Sequence, residues 1–373
     1  MSRNSMILYF LIVFLPLFVT FMVMPWVVRR NVFFGVSVPP SSFDDPDLKA
    51  LRRWYLKWGI ALCVIITVIY VIMSLTMGQD ALMIPLMALT FAPIIAISML
   101  YVIAWKRAKA LKTQKKWDEE STQTVVADTS FFRGKIAVSP LWLMVYPLII
   151  GITIGIGLML YDQVPMKVPM QFDFDGNVSR YADKSFSLMF FAPATQAFVA
   201  LVMGLVYWVM RRARPELDPN QAQKSVKQNT VFRYRWSAFI VFGGMLLLLV
   251  FLVTQLTITN VIPMEVAMWV PMIAPAILVV AVIILSLTTG QSGSRVKVIV
   301  DEKGTKKTFN RNDDAYWHLG VLYVNKNDPS LFVEKRFGVG FTMNWARPMS
   351  WVIFFGIIAA IAASVFLTGK LAG

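Results

Sequence analysis

The chain of 373 residues has one cysteine, Cys63, and one histidine, His318. A lone cysteine excludes an internal disulfide, and its place inside an apolar run makes it a small packing hydrophobe that reports nothing about redox compartment. Without a cluster of cysteine and histidine there is no ligand set for a transition metal. Charge is scarce too: 15% of residues are Asp, Glu, Lys or Arg, where soluble domains carry roughly 25%. With 57% hydrophobic residues and a mean hydropathy of +0.62, a soluble globular protein is excluded.

What the chain does have is long apolar runs. Crossing the hydrocarbon core takes about 20 apolar residues in a helix. Runs of that order fall near residues 6–28, 58–79, 81–105, 138–161, 186–210, 236–258, 266–289 and 349–369. The expected fold class is therefore an all-α polytopic membrane protein of about eight transmembrane helices. The basic flank of the first run, Arg29 and Arg30, follows the apolar stretch, and the run is too long for a signal-peptide core, so a retained span is expected. Trp54, Tyr55, Trp58, Trp105, Trp117, Trp269 and Trp351 lie near expected span ends, as interfacial anchors do.

Basic residues near span ends stay on the cytoplasmic side. Segments 29–57, 106–135, 211–235 and 290–348 hold 31 of the 36 lysines and arginines. The alternate segments hold Arg3, Lys167, Arg180, Lys184 and Lys370. This alternation predicts both termini outside, and it makes the net charge of +15 a topology signal and an attraction to the anionic inner leaflet of a lipid bilayer. Dispersal of the charge over every inner loop argues against nucleic acid as a partner.

All 21 acidic residues, and every basic one, fall outside the eight runs. Ion-coupled carriers bury ionisable groups at membrane depth, and that machinery is missing. An intramembrane protease would need an aspartate pair, a zinc site or a serine–histidine pair within the bundle, and none can be assembled. No catalytic set, no metal site and no cofactor is expected. Gln196 and Gln255, the most notable polar residues within the runs, read as interhelical hydrogen-bonding groups.

Two segments outside the runs are long enough to have roles of their own. In the outer loop 162–185, Pro165 and Pro169 hold an extended entry, Gln171 to Phe174 alternates as a short strand would, and Asp175-Gly176 is a tight-turn pair. Asp173, Asp175 and Asn177 alternate as in a calcium loop, but glycine follows the second ligand position directly and no bidentate glutamate comes later, so a turn is the better reading. The order Val164-Pro165, aromatic strand, Gly176, Arg180-Tyr181 and Lys184, set between two spans, resembles the outer-loop signature of the domain of unknown function found in SdpI-type immunity proteins, over about residues 143–195. Members of that family often carry histidine where this chain has Gln171, so no role that depends on titration there carries over. The resemblance implies a bacterial multipass cell-membrane protein. The best-known member protects its producer from a secreted peptide toxin and relays the toxin's presence by holding a repressor at the membrane.

In the inner segment, Arg295 to Val300 is strand-like and Asp301 to Gly304 supplies a turn; Gly320 to Asn325, Asn327-Asp328-Pro329 and Leu331 to Lys335 read as strand, turn and strand; Phe341 to Trp345 adds another. A small cytoplasmic β-rich meander before the last span is expected. The stretch from Trp317-His318-Leu319-Gly320 through Asn327-Asp328-Pro329 to Trp345-Ala346-Arg347-Pro348 resembles a second uncharacterised domain that often accompanies the first, over about residues 313–351. Gly338-Val339-Gly340 reads as turn glycines rather than a phosphate loop.

These readings divide the chain into a three-span region 1–135, a four-span SdpI-like core 136–289, the cytoplasmic segment 290–348 and a final span with an outer tail, 349–373. The expected function is a sensor or immunity protein. Phe172, Asp173, Asp175, Gly176, Arg180, Tyr181 and Lys184 would meet a secreted peptide or envelope component outside. Trp317, Tyr323, Asn325, Asp328, Arg336, Asn344 and Arg347 would build or present a surface for a cytoplasmic regulator. The competing classes are an exporter of an apolar or amphipathic compound and a membrane assembly scaffold.

Overall fold

The computed structural model describes residues 18–77, 83–117, 121–122, 136–172, 178–215, 217, 221–298, 309–310 and 313–371. Their helices are α1 (Phe18–Val27), α2 (Pro46–Thr76), α3 (Met83–Gln114), α4 (Val145–Met159), α5 (Phe191–Arg212), α6 (Ala222–Ile258), α7 (Met264–Thr289) and α8 (Pro348–Leu371). Short strands lie between them: β1 (Val32–Phe33), β2 (Val36–Ser37), β3 (Ser121–Thr122), β4 (Lys167–Phe172), β5 (Val178–Asp183), β6 (Phe309–Asn310), β7 (Trp317–His318), β8 (Leu322–Tyr323), β9 (Phe332–Glu334) and β10 (Phe341–Met343).

Among the described residues, seven helical stretches are long and apolar enough to cross a membrane: Pro46–Thr76, Phe91–Gln114, Pro140–Met159, Ser187–Arg212, Gln223–Ile258, Trp269–Gly293 and Pro348–Leu371. The chain is an all-α polytopic membrane protein. Of the first expected span, α1 is described and residues 6–17 lie outside the described residues.

Local chemistry sets the ends of these helices. Pro46 opens α2 in the first turn, and the carboxylate of its N-cap, Asp45, accepts from the Asp47 amide at 2.9 Å. The 37 residues of α6 would span about 55 Å at 1.5 Å per residue, well beyond the ~30 Å hydrocarbon core. Its first turns, with Lys224, Lys227, Arg233 and Arg235, extend past the apolar run. Helix α8 leaves Trp351, Phe355, Ile358, Val365 and Phe366 exposed, an apolar surface suited to lipid. Trp58, Trp269 and Trp351 are exposed as interfacial anchors should be, whereas Trp117 is buried in the aromatic core beside α3.

The contacts divide the chain into two units. The first comprises Met1–Thr129, Arg214–Phe232 and Ser286–Ala346. Its core pairs α2 with α3 around Phe33, Phe34, Tyr55, Ile97, Tyr101 and Phe337. The second comprises Ser130–Ala213, Arg233–Leu285 and Arg347–Gly373. There Tyr146 of α4 donates to the Val241 carbonyl of α6 at 2.9 Å, an approach open because a Cβ on Gly244 would lie 2.1 Å from the hydroxyl. Gln196 makes the interhelical bonds expected of it, to Thr153 Oγ1 and to the Leu248 carbonyl, both at 2.9 Å. Gln255 Nε2 reaches Met189 Sδ at 3.7 Å.

The β-rich segment differs from the expected meander. Arg295 to Val298 is not a strand: the Arg295 guanidinium donates to the Leu287 and Trp26 carbonyls, and Val296 O accepts from Gln228. Residues 299–308 lie outside the described residues. β8 pairs with β7 across Leu319 and Gly320, and β9 pairs with β10 across the turn holding Gly338 and Gly340. The expected pairing of 320–325 with 331–335 is thus replaced by two local hairpins, because both loops place glycine at positive φ.

Candidate functional site

In the first unit, residues 313–345 fold against the other connections through buried charge. Arg336 follows β9 with its side chain 3% exposed. It pairs with Asp313 and Asp314, donates to the Gly35 carbonyl at 3.1 Å and lies 5.1 Å from the Trp317 ring centroid. Asp314 also accepts from Lys112 Nζ of α3 at 2.6 Å and from the Ser37 amide at 3.1 Å. Lys112 completes the set by donating to Ser37 Oγ at 2.8 Å. The next residue, Phe337, inserts its ring 4.3 Å from that of Tyr101 and 6.0 Å from that of Phe34.

Two further clusters secure the same segment. Glu334, on β9, has a fully buried side chain that pairs with Arg29, accepts from Asn229 Nδ2 of α6 at 2.7 Å and accepts from Ser292 Oγ. Asp328 pairs with Arg214 at 2.8 Å and accepts from the Tyr323 hydroxyl at 2.8 Å and the Ser330 amide at 2.9 Å. Asn344, fully buried, accepts from the Asn325 amide at 3.0 Å and donates to the Asn325 and Asp328 carbonyls. The Tyr323 ring packs 5.0 Å from Trp317. Arg29, Lys112, Arg214 and Arg336 come one from each of the four basic segments, so the chain gathers in one unit the connections that the charge pattern puts on one side of a membrane.

The carboxylates are tuned by these neighbours. Burial alone would raise the pKa of Asp314, but the charges of Arg336 and Lys112 outweigh it and hold the group below the usual 3.8. Burial also opposes ionisation of Asp328, where the Ser330 amide and Arg214 again win. Burial and the Asp328 charge push the Tyr323 hydroxyl up. A carboxyl held low stabilises the fold above its ordinary pKa, and that contribution disappears as pH falls through the lowered value. The stability gap between wild type and Asp314→Asn should therefore stay constant between about pH 5 and 7 and close only below 3.8. Thermal unfolding of both proteins in detergent across that range checks this; a gap already narrowing near neutrality would refute it.

In the second unit, β4 and β5 form an antiparallel hairpin with Val168 opposite Ala182 and Lys167 opposite Asp183. Val168 and Ala182 face a core with Val164, Leu188, Met189 and Ile258, which seats the hairpin on the ends of α5 and α6. On the opposite strand face Lys167, Tyr181 and Asp183 are exposed, Tyr181 being 54% accessible. Lys184 Nζ reaches the Asp162 carbonyl at 3.2 Å and lies 4.8 Å from the Tyr161 ring centroid, so it also braces the hairpin base. Arg180 is half-buried opposite Gln171, beside a register shift in β4. Phe172 ends β4, while Asp173, Asp175 and Gly176, with the expected turn, lie outside the described residues.

Comparison with known proteins gives two matches. Residues 148–197 match the domain of unknown function DUF1648, which is the SdpI-type domain. Residues 326–351 match the family of unknown function DUF5808. No curated protein and no solved structure matches the chain. The first match takes in the hairpin with α4 and the start of α5. The second takes in Asp328, Glu334, Arg336 and Asn344, the polar anchors of the buried clusters.

Of the residues singled out from sequence, Trp317, Tyr323, Asn325, Asp328, Arg336 and Asn344 come together; Arg347 belongs to the second unit, leading into α8. His318 is exposed on β7. Sequence reasoning missed Glu334, Asn229, Ser292 and the pairing role of Arg29 and Lys112. The one available signal was an acidic residue directly after the apolar stretch Leu331 to Val333, at the end of the strand. Among the described residues no group of three metal-ligating side chains occurs.

Proposed function

We propose that the protein is an integral membrane sensor of the immunity type: the β4–β5 hairpin side meets a peptide toxin or envelope component, and residues 313–345 couple that state to a cytoplasmic partner. The observation that carries this reading is the docking of one small segment onto separate parts of the chain, through buried ion pairs with Arg29 and with Lys112 at the end of α3, and through a half-exposed pair with Arg214. Buried pairs are costly to half-break, so a shift of one connection favours a new discrete arrangement of the segment over a graded one. Ligand at the hairpin would drive such a shift if it binds the two arrangements unequally. The SdpI-type domain supports the reading, since that resemblance implies protection from a secreted peptide and a membrane-held regulator.

The test is survival of a deletion strain, with and without the re-expressed protein, against secreted membrane-active peptides of the same and related bacteria. Selective killing of the deletion strain is expected. Arg180→Ala with Lys184→Ala, at equal expression, should lose protection by about tenfold or more, the effect of removing one or two charge-assisted contacts. Equal survival of all strains would reject immunity and direct attention to flux in proteoliposomes or a co-purifying complex. Full protection by the double variant would reject the cationic side of the hairpin as the contact.

A further inference from the structure

We propose that the second unit holds a binding site for the headgroup of an anionic glycerophospholipid, in the groove where α5 ends. The groove encloses about 660 Å³. One wall is apolar, with Val138, Leu143 and Gly204, and the rim carries Trp208, Arg211 and Arg212. Arg211 and Arg212 are exposed, and neither has a carboxylate partner among the described residues. Their guanidinium groups lie 5.9 Å and 5.7 Å from the ring centroids of Tyr207 and Trp208, which keeps both cations at the rim.

The end of a helix ordinarily repels anions through its unsatisfied carbonyls. Here the fully buried Arg233 of α6 donates to the Met210 carbonyl at 2.7 Å and the Ala213 carbonyl at 2.8 Å, so that repulsion is already offset. The apolar wall is fixed as well: the Tyr207 hydroxyl donates to the Val138 carbonyl, and the Val138 amide donates to Ser237 Oγ at 2.9 Å. No Cβ contact would meet a side chain at Gly204, which leaves the groove open along α5.

Depth selects a lipid over a soluble anion. Arg212 closes the candidate span Ser187–Arg212 and Pro140 opens the candidate span Pro140–Met159, so the groove sits where headgroups sit. Beside it Leu141, Met144 and Leu201 are exposed apolar side chains along which acyl chains would run. Inorganic phosphate would use the two cations and none of that wall. A basic pocket between span ends, on the side the charge pattern makes cytoplasmic, is the arrangement that retains anionic lipid.

Native mass spectrometry of the full chain in detergent tests this, with phosphatidylglycerol and phosphatidylcholine of identical acyl chains added in turn. Wild type should retain phosphatidylglycerol about tenfold better, as a charge-assisted pair of contacts predicts. Arg211→Gln with Arg212→Gln should abolish the preference. Gly204→Leu, whose Cβ would meet no atom within 4 Å and which keeps both arginines, should weaken retention by placing a side chain in the groove; Lys227→Gln, an exposed cation on α6, should leave it unchanged. Equal retention of the two lipids, wild-type retention by either groove variant, equal loss in Lys227→Gln, or displacement of lipid by millimolar inorganic phosphate would each overturn the proposal.

Discussion

Replacing Arg336 with methionine is expected to destabilise the first unit by about 3–5 kcal/mol, the usual cost of removing one partner from a buried ionic cluster. The side chain is 3% exposed and holds two carboxylates, Asp313 and Asp314, as well as the Gly35 carbonyl. Methionine fills comparable volume, so the loss is electrostatic and not a cavity. Without the guanidinium, two neighbouring carboxylates face each other, and Lys112 at 2.6 Å from Asp314 is left to offset them. Arg336→Lys should recover only part, because an ammonium lacks the fork that serves both carboxylates and Gly35 together.

Titration of the detergent-solubilised protein with a denaturing detergent reads this loss as a lower unfolding midpoint. A triple variant, Arg336→Met with Asp313→Asn and Asp314→Asn, separates charge from shape: with no uncompensated carboxylate left, it should be more stable than the single variant. A single variant within about 1 kcal/mol of wild type would place Arg336 among the weakly contributing surface pairs and remove the central anchor of residues 313–345.

The spans were legible because a bilayer imposes one length and one composition on any helix that crosses it. Seven of the eight runs read from hydropathy coincide with described helices, and α3 and α6 simply run on past the apolar portion into charged turns. The hairpin between Lys167 and Asp183 was foreshadowed by Pro165, Pro169 and alternation, which are local features. The buried clusters were not legible. Glu334 meets Arg29 across 305 positions and Asn229 across 105, and neither partner has a local pattern that tells a topology charge from a paired one. The strand pairing in 313–345 failed for the opposite reason, being too local: strands of two or three residues carry almost no periodicity, and Leu319 at φ +53 is a turn residue that its type disguises. The β1–β2 hairpin was hidden likewise, with Phe34 at φ +45 ahead of Gly35.

That hairpin carries the second large expected effect. Gly35→Ala should cost about 3 kcal/mol, from a left-handed backbone that penalises a Cβ by roughly 1–2 kcal/mol and a clash worth about 1–3 kcal/mol in a filled interior. A Cβ there would lie 2.5 Å from the Gly320 carbonyl oxygen, 2.6 Å from Gly320 Cα and 2.8 Å from the Tyr101 hydroxyl. Two of those atoms are backbone, and the third donates to the Phe34 and Leu319 carbonyls, so none yields cheaply. The tips of the β1–β2 and β7–β8 hairpins thus touch through two glycines, at φ +78 and +72, beneath one tyrosine. Gly340→Ala is the control: its φ of +115 strains any Cβ, but nothing lies within 4 Å. Unfolding midpoints should therefore fall clearly further for Gly35→Ala than for Gly340→Ala. Because Arg336 donates to the Gly35 carbonyl, Gly35→Ala and Arg336→Met should lose less together than the sum of the two alone, as variants sharing a contact do. Equal costs for the two glycine variants would mean that the hairpin tips do not meet.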